Sequence, residues 1–173
     1  MDPFATLGVE PRFDLDPAEL ERRHRELSRA LHPDRHAAEP PAQRRLALSR
    51  AIEVNEAYRM LKDPIRRAER VLEARGVPIG EGKEPPASGA LLMEMMESRE
   101  TLADAVRAKD AATVARLGDE MRDRERGLLT KLAAALATVS PETSQQAMVL
   151  LGELRYTRRF LDEVSAFEEV LAG

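Results

Sequence analysis

The sequence predicts an all-α protein of two helical units, and three observations carry that prediction. Capping side chains stand before proline at Asp16-Pro17, Asp63-Pro64 and Ser140-Pro141. Proline suits the first helical position, and the side chain before it can accept from the orphaned N–H groups. No stretch alternates apolar and polar residues as a strand would. From Gly76 to Gly89 the run Gly-Val-Pro-Ile-Gly-Glu-Gly-Lys-Glu-Pro-Pro-Ala-Ser-Gly interrupts helical periodicity on both sides and marks a linker. The expected organisation is an N-terminal helical domain over residues 1–75, a linker over 76–89 and a C-terminal three-helix bundle over 90–173.

The first predicted helix starts near Pro17, with Asp16 and Glu19 at capping-box spacing. It must stop at Leu31 and His32, because Pro33 removes a backbone donor and pushes the residue before it out of helical space. Leu20, His24, Leu27 and Leu31 share one side of this helix, and Arg22, Arg25 and Arg29 share the other. A second helix, from near Gln43 to Lys62, is expected to pack on it through Leu48, Ile52 and Leu61, with Tyr58 as its aromatic. Asp63-Pro64 opens a third.

Beyond the linker, a helix runs from Leu91 to about Ala108, and Asp110 can cap the next. Val114, Leu117, Met121, Leu128, Leu132, Leu136 and Val139 form one stripe on that long helix. Leu150, Leu154, Leu161, Val164 and Leu171 form a broader stripe on the last. Three helices with short connections pack most simply as an antiparallel bundle.

Composition narrows the function. The chain has 173 residues, a formal charge of −4, no tryptophan and no cysteine. Absence of cysteine excludes disulfides, thiolate nucleophiles and a metal or iron–sulfur centre held by the chain's own thiolates. Net negative charge argues against general nucleic-acid binding, which draws its affinity from neutralised phosphates. Met1-Asp2-Pro3-Phe4 lacks the basic-then-apolar signature of a secretory signal. The longest apolar stretch, Leu128 to Val139, is too short for a bilayer and is broken by Lys131. The expectation is a cytoplasmic protein with no membrane contact, and nothing asks for more than a monomer.

The tripeptide His32-Pro33-Asp34 places an imidazole and a carboxylate on a loop tip between two helices, where recognition chemistry tends to sit. Arg22, Arg25 and Arg29 lie beside it. Alone, the arginine stripe reads more readily as a solvated face offset by Glu21 and Glu26. With the loop it offers a carboxylate, an imidazole and guanidinium forks, a set suited to a protein surface carrying both signs of charge. Catalysis is poorly served. Pro33 spoils the helix that a His32/His36 metal pair would need, no serine sits in a Gly-x-Ser-x-Gly setting, and no glycine-rich loop follows a strand.

Phe4-Ala5-Thr6-Leu7-Gly8-Val9, the basic helix, His32-Pro33-Asp34-Arg35 and Asn55-Glu56-Ala57-Tyr58-Arg59-Met60-Leu61 stand in the order and spacing of a J-domain, which the N-terminal unit resembles. The resemblance implies contact with a DnaK-type ATPase chaperone, whose hydrolysis J-domains trigger without catalysis of their own. By position, Asp34 would pair with a chaperone arginine, Pro33 would fix the loop and His32 would buttress it. Arg22, Arg25 and Arg29 would meet acidic surface. Leu31 stands where many J-domains have tyrosine, and His24 holds a position that is usually aromatic, which reads as a core-edge histidine.

The helix from Leu91 carries more apolar surface than a bundle requires. Leu91, Met95, Leu102 and Val106 suffice for a core, while Leu92, Met93 and Met96 project elsewhere beside Glu97, Glu100 and Asp104. Such a methionine-bearing face packs against the N-terminal domain, widens the core or marks a partner site. Tyr156 falls away from the main stripe of the last helix and can join it.

Leu91-Leu92-Met93-Glu94-Met95-Met96-Glu97-Ser98-Arg99-Glu100, Leu154-Arg155-Tyr156 and Pro64 to Leu72 extend the resemblance over essentially the whole chain, to the HscB family of J-type co-chaperones of iron–sulfur cluster assembly. The resemblance implies that the bundle binds an IscU-like scaffold protein through Leu92, Met93, Met96, Glu97, Glu100, Asp104 and Tyr156. It implies too that the J-domain delivers this scaffold to an HscA-like chaperone, with no cofactor of its own. Asp104 shortens a family glutamate and Tyr156 replaces a family phenylalanine. Some relatives carry an N-terminal cysteine metal site, which this chain cannot form. The competing reading is a general J-domain co-chaperone of DnaK with a different client.

Overall fold

The computed structural model describes residues 1–80, 83 and 85–172, with side chains as far as residue 170. The expected linker positions 81, 82 and 84 and the Leu171 side chain lie outside the described residues. The fold is all-α: α1 (Pro3–Leu7), α2 (Pro17–Ala30), a 3-10 turn (Pro33–His36), α3 (Pro41–Lys62), α4 (Pro64–Ala74), α5 (Gly89–Arg107), α6 (Ala111–Ala137) and α7 (Pro141–Ala172). The chain divides into two compact units, Met1–Pro78 and Ile79–Gly173.

The helix starts follow from local chemistry. Asp16 accepts from the Ala18 N–H at 2.9 Å, and Asp63 accepts from Ile65 and Arg66 at 2.8 and 3.0 Å. Ser88 receives the Leu91 N–H, and Asp110 the Thr113 N–H. At α7 the Ser140 hydroxyl accepts from the Thr143 N–H at 3.2 Å, and Thr143 Oγ1 accepts from the Ser140 N–H at 3.1 Å. That is a reciprocal cap with threonine in the usual glutamate's place. The expected return arm of the Asp16 cap is absent, because Glu19 turns to Arg22 at 3.7 Å.

A third Asp-Pro helix start, Asp2-Pro3, is absent from the sequence-based expectation. Asp2 accepts from the Phe4 N–H at 2.9 Å and begins α1. This one-turn helix ends on Gly8 at φ 65°, a left-handed position that costs glycine little. Phe4 and Leu7 are thereby buried, and α1 and α2 both pack on α3.

The packing face of α3 corrects the expectation. Leu48 and Ile52 are more than half exposed, and the buried residues are Ala47, Val54, Ala57 and Leu61. At about 100° per residue, Leu48 and Ile52 lie nearly opposite Leu61, so one face could never have held all three. Two alanines, Ala47 and Ala57, face inward beside Val54 and Leu61. The Arg67 guanidinium, over the Phe13 ring at 4.9 Å, donates to the Leu61 carbonyl at 2.8 Å. It thereby satisfies an end carbonyl of α3, and burial pulls its pKa down.

In the second unit α5, α6 and α7 form the three-helix bundle. Leu91, Met95, Leu102, Ala105, Val114, Leu117, Met121, Phe160 and Val164 make one buried cluster, against which Tyr156 and Leu161 also pack. Val139 leaves the expected stripe at 73% exposure, because α6 ends at Ala137. On α7 the buried set is wider than the expected stripe and takes in Leu151, Thr157 and Phe160. Thr157 resolves its burial by donating to the Glu153 carbonyl at 3.0 Å.

Candidate functional site

Two surfaces collect the chemistry singled out in the sequence, one in each unit. In the first, α2 ends at Ala30 with Leu31 as its cap. His32 takes extended backbone and Pro33 opens the 3-10 turn. The His32 Nδ1 accepts from the Asp34 N–H at 3.3 Å, so the imidazole caps its own turn. Because that nitrogen is an acceptor, the 3.5 Å approach of the Asp34 carboxylate to it is not an ion pair. Asp34 is left 89% exposed in its side chain, with both oxygens open to a partner.

The arginines of α2 are exposed but not equivalent. Arg22 donates to Glu26 at 3.0 Å, and Arg25 pairs tightly with Glu21, whose pKa falls through that hydrogen bond. Arg29 forms no ion pair among the described residues and lines a shallow groove with His32, Asp34 and Arg35. On the inner side of α2, His24 bonds Asn55 at 2.9 Å and stacks on Tyr58 with ring centroids 4.1 Å apart. It is a packed edge residue of the α2/α3 pair. Exposed Leu48 also borders the turn, in a cleft with Pro33 and Asp34. Counting Leu48 as core hid this neighbour.

The second surface runs along α5. Leu92, Met93 and Met96 are 39%, 61% and 66% exposed, while Leu91, Met95 and Leu102 are at most 5% exposed. With helical geometry, Leu92, Met93, Met96, Glu97, Glu100 and Asp104 span an arc of about 140° on the outer side. All six are exposed. Glu94 is drawn off to Arg124 at 2.5 Å, and Asp104 to Arg107.

Tyr156 is half-buried, rests on the bundle core and lies under the Arg159 guanidinium at 6.0 Å. It lines a cleft with Leu91, Val149 and the 85–88 segment. Val149, 43% exposed, sits two helical turns before Tyr156 and was not singled out in the sequence. Its spacing from Tyr156 was the available signal. Among the described residues no three His, Asp or Glu side chains converge as metal ligands would. No helix among them is long and apolar enough to cross a membrane.

Comparison with known proteins agrees with this arrangement. The DnaJ domain family matches residues 2–69, and the family described as the HSCB C-terminal oligomerisation domain matches residues 87–165. The co-chaperone protein HscB homologue of Shewanella frigidimarina is 36% identical over 172 residues, covering 99% of each chain. That of Paraburkholderia phymatum is 38% identical over 145 residues, 84% of this chain and 83% of the relative. Among solved structures, chaperone HscB from Vibrio cholerae aligns with a TM-score of 0.84 at 29% identity over 99% of both chains. Human co-chaperone protein HscB shares the fold at a TM-score of 0.85 and 22% identity, over 96% of this chain and 81% of its own. With a J-domain turn in one unit, a helical bundle in the other and relatives matched from end to end, the chain belongs to the HscB co-chaperone family.

Proposed function

We propose that this protein is a J-type co-chaperone of iron–sulfur cluster assembly, working in the cytoplasm. It binds an IscU-like scaffold protein through α5 and Tyr156, and brings it to an HscA-like chaperone through the His32-Pro33-Asp34 turn. It supplies no catalytic group and accelerates ATP hydrolysis in its partner. Residues 76–89 connect the two binding units.

The observation that carries the reading is the division of α5 into two apolar faces. Burying Leu91, Met95 and Leu102 meets the needs of the bundle, yet Leu92, Met93 and Met96 remain in water. Each costs free energy there unless a partner covers it. Two occupants compete for this face, a scaffold protein or a second copy of the chain. A two-fold contact would set the Glu97, Glu100 and Asp104 rim against its own like charges. That favours a scaffold protein with a basic, apolar surface and a monomeric co-chaperone.

The test is titration of a purified IscU-type scaffold into this protein, followed by ATP turnover of an HscA-type chaperone with each component alone and both together. The expected outcome is saturable one-to-one binding and stimulation that is greatest with both present. Stimulation of DnaK and HscA alike with no scaffold binding would favour a general J-protein instead.

A further inference from the structure

We propose that His36, held between two acceptors, is a positioning residue that pins the Asp34 turn to the end of α2 and makes chaperone docking depend on pH. The inference rests on the docking role proposed for that turn. His36 lies two residues beyond Asp34, at the end of the 3-10 turn. Its Nδ1 is 2.9 Å from Glu39 Oε2 and its Nε2 is 3.0 Å from the Ala30 carbonyl oxygen. A carboxylate and a carbonyl only accept, so each ring nitrogen has to donate. A neutral imidazole has one N–H, and only the imidazolium has two. The two bonds therefore exist together only when the ring is charged.

The partners explain why charge is tolerated here. Ala30 is the last residue of α2, and its carbonyl is among those with no intrahelical partner, at the negative end of the helix dipole. Glu39 supplies a full negative charge on the far side of the ring. One cation opposes them, Arg35 on the same turn, while Arg44 of α3 lines the adjoining cleft with Leu31, Pro33 and Asp34. The balance favours the proton. The His36 pKa is raised above its ordinary 6.5, first by the Glu39 hydrogen bond and then by the Ala30 carbonyl, against burial and Arg35. The side chain is 21% exposed, so water replaces a broken bond only in part.

Deprotonation leaves one N–H for two acceptors, and either the Ala30 tie or the Glu39 tie is lost. Because the folded pKa is raised, the pin is complete below the ordinary histidine value. It is lost as pH rises through the folded value. The Asp34 turn then samples more orientations, and the docking-competent fraction falls.

The experiment compares the full-length parent with His36→Gln, measuring stimulated ATP turnover of a purified HscA-type chaperone from about pH 6 to about pH 8.5. Taking the ratio at each pH cancels the chaperone's own profile. The parent should stimulate on the order of two- to threefold more at the acidic end, with the ratio approaching one at the alkaline end. Long-range proton–nitrogen NMR of the parent should show both His36 nitrogens protonated near pH 6.5 and a midpoint above the ordinary value. A ratio independent of pH, or a neutral single tautomer at that pH, overturns the proposal. Should His36→Gln fail to fold, the NMR arm on the parent still decides whether the ring is doubly held. A parent that titrates as expected yet never stimulates any chaperone would refute the docking role, and with it the pH link, while leaving the two bonds in place.

Discussion

Arg99 of α5 and Glu163 of α7 form a forked ion pair, with Nε 3.1 and 3.2 Å from the two carboxylate oxygens and Nη2 2.9 Å from one of them. Arg124 of α6 reaches Glu94 of α5, and Arg158 of α7 reaches Glu125 of α6 at 2.7 Å. Among the described residues every pair of bundle helices thus carries at least one ion pair. The buried stripe of Leu91, Met95 and Leu102 sets which side of α5 faces the bundle, and the forked Arg99–Glu163 pair adds a contact with one geometry. The pair supports the rotation that turns Leu92, Met93 and Met96 outward.

Arg99→Ala should consequently loosen α5 more than it destabilises the whole. Both partners are 40% exposed, so screening by water limits the loss to about 0.2–1 kcal/mol. In a chain of this size that corresponds to a melting shift of about 0.4–4 °C. Amide exchange should speed up in α5 and remain unchanged in α6 and α7. Uniform acceleration across the bundle would show that the pair does not act on α5 in particular.

Asp34→Asn removes charge without removing shape. The side chain touches little, and its N–H to His32 is kept, so the helical signal and melting temperature should match the parent's. Stimulation of the chaperone's ATP hydrolysis should fall to the unstimulated rate, with scaffold binding intact. Equal stimulation by variant and parent would remove the carboxylate from the contact.

Leu92→Ala with Met96→Ala tests the outer face of α5, and Leu102→Ala serves as its inner control. Each outer truncation should weaken scaffold binding by about 1–2 kcal/mol with little change in thermal stability. Leu102, only 1% exposed, should instead cost about 2–5 kcal/mol of stability, since its removal leaves a cavity. Unfolding of the double variant would place Leu92 and Met96 in the core and end the partner-face reading.

The arginines of α2 should rank by whether they are already engaged. Arg22 and Arg25 hold glutamates of their own helix, and a partner must compete for them. Arg29 does not meet that competition. Arg29→Ala should lower the association rate with the chaperone more than Arg22→Ala, severalfold at low salt, with the difference shrinking as salt rises. Stopped-flow binding at two ionic strengths measures it, and identical rates for the two variants would contradict this ranking.

Local chemistry was legible from the sequence, because it acts within a few residues. Asp16, Asp63 and Asp110 cap the helices they were expected to cap, and Pro33 stops α2 at Ala30, with Leu31 as its cap, as backbone geometry requires. The two-sided pattern of α5 was readable for the same reason, since helical periodicity sorts residues by angle. What the pattern lacks is knowledge of what covers each angle. The tertiary structure alone set Ala47, Val54 and Ala57 inward and left Leu48 and Ile52 in water, because α1 and α2 crowd one side of α3 and close approach there favours small side chains. It alone brought His36 from the end of a 3-10 turn to the Ala30 carbonyl at the close of α2. Hydrophobicity specifies that a side chain should be buried, but only the assembled neighbours decide which ones can be.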